Sequence, residues 1–89
     1  MNPESWLIKE TENNFDGPIR EILNERQPAS IGKFYLQSLL LEHSPELERY
    51  PQKVLRQCIT VSMQKQGYIW NGKRKRAFYR VDTKVEEER

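Results

Sequence analysis

The apolar positions fall into three helical stretches followed by a short β-like stretch. Ile19, Ile22 and Leu23 recur at helical spacing behind Phe15. Asp16 stands just before Gly17 and Pro18, so Asp16 is expected to cap the first helix, with Pro18 in its opening turn. That helix should run to about Asn24 or Arg26, where Pro28 stops it. Ser30 is the expected cap of a second helix. Its Ile31, Phe34, Tyr35, Leu36, Leu39, Leu40 and Leu41 form a wide apolar face suited to the middle of a small core. His43, Ser44 and Pro45 end it, and residues 43–50 read as a linker or broken turn. Tyr50 and Pro51 open a third helix, in which Leu55, Cys58, Ile59 and Ser62 follow the i, i+3, i+4, i+7 rule. Lys53, Arg56, Gln57, Thr60 and Gln64 lie on its opposite face, within about 100° of arc. Gly67 supplies a left-handed stop.

Tyr68, Ile69 and Trp70 then form a short β run, and residues 77–81 a second one. Asn71-Gly72 between them is the strongest short hairpin signal, because both residues accept positive φ. The connection is either that two-residue turn or a longer basic tip that includes Lys73, Arg74, Lys75 and Arg76. Ahead of the first helix, residues 6–14 are ambiguous: Trp6, Leu7 and Ile8 either anchor a loose arm or begin a short helix. The order predicts an α+β fold, a winged helix-turn-helix of three helices plus a C-terminal β-hairpin wing. It would occupy residues 15–82, between an N-terminal arm (1–14) and a charged C-terminal tail (83–89). Residues 1–5 and 86–89 are expected to fray.

Composition narrows the chemistry. The 89 residues are enough for one domain with one small core. Cys58 is the only cysteine, so no intramolecular disulfide, CxxC or Cys/His cluster can form. It is expected to be a buried filler, and His43, the only histidine, a surface loop residue. No apolar run approaches the roughly 20 residues of a membrane span, and no signal-peptide pattern is visible. The expected location is therefore the cytoplasm. No Ser/His/Asp or Cys/His set and no phosphate-cradling GxxxxGK[ST] loop exists, so the chain is not expected to be an enzyme, nor to need a cofactor or metal.

Charge changes the picture most. From residue 49 to residue 81 there is no acid, and there are nine bases: Arg49, Lys53, Arg56, Lys65, Lys73, Arg74, Lys75, Arg76 and Arg80. The remaining residues hold all 13 acids and the other six of the 15 bases, so a net +2 hides about +9 against −7. Such one-sidedness points to a polyanion, and double-stranded DNA is the expected partner. Lys73, Arg74, Lys75 and Arg76 would neutralise phosphates, and one of these arginines could enter a narrow minor groove. Arg56 would suit guanine, Gln57 or Gln64 adenine, and Thr60 a thymine methyl. Arg49, Lys53, Tyr50 and Ser30 are candidate phosphate contacts, and Arg80 adds a further cation. Trp70 and Tyr79 could stack on bases or pack the hairpin on the third helix. RNA is a further option. The competing reading is a winged helix that binds protein only, through the acidic face of Glu21, Glu25, Glu42, Glu46 and Glu48.

Residues 16–81 also resemble a known family. A first amphipathic helix is followed by Gln27-Pro28-Ala29-Ser30. A helix over 51–66 carries Arg56 and Gln57 and ends in Gln66-Gly67 with an aromatic at 68. Asn71-Gly72-Lys73-Arg74 and a closing Tyr79-Arg80 complete the pattern. In these features the chain resembles the C-terminal winged-helix segment of virulence-associated E proteins, primase-helicases of the superfamily 3 type encoded by plasmids, phages and genomic islands. The resemblance implies a DNA-binding module of a mobile-element replication protein, with other parts of a primase-helicase as partners. The ATPase motifs of that family are absent.

Overall fold

The computed structural model describes residues 3–71 and 77–80. Its elements are helix α1 (Pro3–Glu10), a π-helical turn (Thr11–Phe15), α2 (Asp16–Arg26), strand β1 (Ser30–Gly32), α3 (Lys33–His43), a 3-10 turn (Pro45–Arg49), α4 (Gln52–Lys65), β2 (Tyr68–Asn71) and β3 (Ala77–Arg80). The fold is α+β, with a winged helix-turn-helix arrangement. Helices α2, α3 and α4 pack around the core, with α2 against both α3 and α4, and the 3-10 turn joins α3 to α4. A three-stranded antiparallel sheet in the order β1-β3-β2 closes the domain.

The segment before Phe15 is not a loose arm. Helix α1 runs without a break through the π-turn into α2, so residues 3–5 are helical. Asn13 and Asn14 are weak helix formers, and the Thr11 hydroxyl donates back to the Leu7 carbonyl at 2.8 Å. The local widening brings Thr11, Phe15 and Ile19 all inward, each with no exposed surface. Asp16 therefore does not cap. It lies inside the continuous helix with αR dihedrals, and its carboxylate accepts from Lys65 on α4 at 2.6 Å.

Ser30 does not cap either. It pairs with Tyr79 at the start of β1, where Ile31 faces Phe78 and Gly32 faces Ala77. Cross-strand pairing takes the backbone of residues 30–32, and α3 starts at Lys33 after an extended Gly32. Within α3, Leu36 and Leu40 are fully buried, while Phe34 and Tyr35, about 200° and 100° around the helix from Leu36, are 55% and 54% exposed and do not join the apolar face. Helix α2 stops at Gln27, which takes left-handed dihedrals (φ 46°, ψ 50°) and donates its NH to the Leu23 carbonyl.

Residues 45–49 form a 3-10 turn that buries Leu47. Pro51 precedes α4, and Leu55, Cys58, Ile59, Ser62 and Met63 of α4 are buried, as the spacing predicts. Gly67 has φ +94° and turns the chain into β2. In the hairpin Ile69 pairs with Tyr79, Trp70 with Phe78 and Asn71 with Ala77. Since Asn71 and Ala77 are partners, a two-residue Asn-Gly turn is not the connection. The alternative with the longer loop stands, and residues 72–76 lie outside the described residues, as does Val81. The core joins Phe15, Ile19, Leu36, Leu40, Leu47, Leu55, Ile59, Met63 and Phe78. Tyr68 seals the sheet end by donating its hydroxyl to the Pro28 carbonyl at 2.7 Å.

Candidate nucleic-acid interface

Helix α4 buries one face and leaves the other open because its apolar residues keep strict helical spacing. On the open face Lys53, Gln57 and Gln64 are exposed, while Arg56 and Thr60 are half-buried. A cleft of about 590 Å³ runs along this face. It is lined by Leu7 of α1, Lys33 of α3, and Gln52, Lys53, Arg56, Gln57, Thr60 and Val61 of α4. Among the described residues no carboxylate lines it. Helix α1 thus forms a wall of the cleft, and the first turn of α3 also borders it.

The cations at the cleft rest on aromatic rings. The Arg56 guanidinium carbon lies 5.2 Å from the centre of the Phe34 ring, and the Lys33 ammonium 4.7 Å from the centre of a Trp70 ring. Among the described residues neither has an ion-pair partner. The Arg56 Nε is buried and has no hydrogen-bond acceptor among the described residues. Burial, and then repulsion from Arg56, hold the Lys33 ammonium below the ordinary lysine value. Trp70 also packs on Phe78, with ring centres 5.1 Å apart. The Thr60 hydroxyl donates to the Arg56 carbonyl at 3.0 Å.

The other expected contacts are placed differently. Lys65 is occupied: Asp16 and Glu12 hold its ammonium at 2.6 and 3.7 Å. Arg49 lies over the Tyr50 ring, 5.0 Å from its centre, and donates to the Tyr50 hydroxyl at 3.4 Å. Tyr50 in turn donates to the Glu10 carboxylate and accepts from Asn14. That network fastens the π-turn to the start of α4, so the Tyr50 hydroxyl is committed. Ser30 is in the sheet rather than at a helix start. Arg80 is exposed at the end of β3, opposite Tyr68, and does not line the cleft. Lys73, Arg74, Lys75 and Arg76 lie outside the described residues. Tyr79 is half-buried in the sheet.

Sequence reasoning missed Lys33 and Leu7. Lys33 sits in a stretch read as an apolar helix face, and its only signal was a lone cation between Gly32 and Phe34. Of the isolated groups, Cys58 is buried as expected, and burial pushes its thiol upward. His43 closes α3, with its Nε2 2.7 Å from Glu21. Among the described residues no helix is long and apolar enough to cross a membrane, and no cluster of His, Cys, Asp and Glu could hold a metal. No family model, curated protein or solved structure matches the chain.

Proposed function

We propose that this domain binds double-stranded DNA, with α4 in the major groove and the basic segment 73–76 on the phosphate backbone. The observation that carries the reading is the open face of α4. Lys53, Arg56 and Gln57 stand there with Lys33 beside them, and among the described residues no acid lines the cleft they share. A helix about 10–12 Å across with its side chains fits a major groove about 12 Å wide. The cations would supply affinity through counterion release, and the amides of Gln57 and Gln64 would read base edges. The likeness to the winged-helix segment of virulence-associated E proteins suggests a role in mobile-element replication or regulation, with primase-helicase parts as partners.

Changing Lys73, Arg74, Lys75 and Arg76 together to Ala should weaken binding to all duplexes and flatten the dependence on salt. Changing Gln57 to Ala should alter sequence preference, each good bidentate contact being worth ~1–3 kcal/mol. Unchanged affinity and salt slope in the first variant would remove the electrostatic assignment. A second reading, a protein-binding winged helix, is favoured by the exposed Phe34 and Tyr35 rings on α3. Tyr35→Ser separates the two, because Tyr35 is stacked by Arg26 and lies off the cleft, so DNA affinity should then persist while protein binding weakens.

A further inference from the structure

The cleft beside α4 holds more room than phosphate contacts need. Its volume of about 590 Å³ falls within the roughly 300–1,000 Å³ of small-molecule sites. Its lining combines three chemistries. Leu7 and Val61 offer apolar contact, Gln52 and Gln57 offer amide edges, and Lys33, Lys53 and Arg56 offer positive charge. A nucleotide carries the complement of each: a planar face, a hydrogen-bonding edge and a phosphate. A base within a duplex cannot use the first, because its faces are covered by its neighbours in the stack.

We infer that this cleft receives one unpaired nucleotide, so that the domain prefers a duplex bordering single-stranded DNA to a blunt duplex. The inference rests on the DNA-binding reading and names the kind of DNA. Gln37 orients one side of the cleft, because its Nε2 donates to the Gln52 Oε1 at 2.9 Å. The Gln52 amide is thereby fixed, with its own NH2 group left to donate to a base edge. Lys33 and Arg56 repel one another, and a phosphate between them would relieve that repulsion. Both rest on rings, and among the described residues neither is paired with a carboxylate that a phosphate would have to displace. An acidic peptide would satisfy the cations, but it brings a flat ring only where an aromatic side chain adjoins its acids, whereas every nucleotide joins a flat ring to a phosphate.

The test uses the whole chain and fluorescence anisotropy with three probes: a blunt hairpin duplex, the same duplex with a short single-stranded overhang, and the single strand alone. The overhang duplex should bind about tenfold tighter than the blunt one. Val61→Phe fills the cleft from outside the core, and Lys33→Gln removes a cation with little change of shape. Each should bring the ratio of the two affinities close to one, and Lys33→Gln carries the test if Val61→Phe fails to fold. A 2-aminopurine at the first unpaired position should change its fluorescence on binding the native chain and not on binding Val61→Phe. Equal affinity for blunt and overhang duplexes would overturn the cleft assignment and leave the DNA-binding reading intact. So would a single strand that binds as tightly as the overhang duplex. Absence of binding to every probe at low salt would instead overturn the DNA-binding reading itself.

Discussion

Single residues divide into those that hold the fold and those that α4 presents. Phe15 has no exposed surface and lies 5.3 Å from the Tyr50 ring, centre to centre. Phe15→Ala should cost about 3–5 kcal/mol, read as a lower denaturant midpoint. The buried side of α4 was legible because Leu55, Cys58, Ile59 and Ser62 share one face by spacing alone. Arg56 was legible as an outward cation but not as one resting on Phe34, since that ring belongs to another helix. Lys33 was illegible as a site residue for the same reason: Trp70, 37 positions later, gives it its place. Lys65 shows the converse. In the sequence it counts with the acid-free stretch, yet the fold sets it against Asp16 and Glu12.

At the scale of elements, turn chemistry was legible wherever the backbone alone decided it. Gly67 at φ +94° ends the third helix as its position implied. Gly67→Ala should destabilise by about 1–2 kcal/mol in equilibrium unfolding, because a Cβ is strained at that φ. Gln27 holds a left-handed conformation with an ordinary side chain. Gln27→Gly should therefore stabilise the fold by up to ~1 kcal/mol, read as a higher unfolding midpoint. Where tertiary pairing competed with capping, local signals misled. Ser30 and Asp16 have cap chemistry, but β3 takes the first and Lys65 the second. The N-terminal boundary failed similarly, because Thr11 is buried and Glu10 and Asn14 bond to Tyr50. A chain beginning at residue 15 should thus unfold at a markedly lower midpoint than the whole, as circular dichroism would register. If it were equally stable, α1 and the π-turn would not be part of the folded unit.

For the whole molecule, proton linkage and charge set the behaviour. Burial, then the hydrogen bond to Glu10, raise the Tyr50 phenol, and burial raises that of Tyr68, both above the usual 10.0. The hydrogen bond from Lys65 to Asp16 raises its ammonium above 10.5. All three bind their protons more tightly folded than unfolded, so the stability they contribute is complete below about pH 10 and lost as pH rises through the folded values. Lys33 acts oppositely: its charged form is a cost in the fold, relieved as pH rises. Cys58, its thiol also raised by burial above the usual 9.0, acts in the same sense as those three, so with four groups against Lys33 the denaturant midpoint should fall as pH rises above about 9. A Tyr50→Phe variant should fall less steeply.

The overall separation of charge was legible in the sequence, but the fold sorts its cations unevenly: Lys33, Lys53 and Arg56 border one cleft, while Arg49 and Arg80 lie off it. The most direct measurement of the central claim is duplex-DNA affinity as a function of salt concentration. If Lys33, Lys53, Arg56 and the four cations of segment 73–76 all meet phosphates, log K should fall linearly with log salt, with a slope of about −6. A slope near zero, or no binding at low salt, would contradict it.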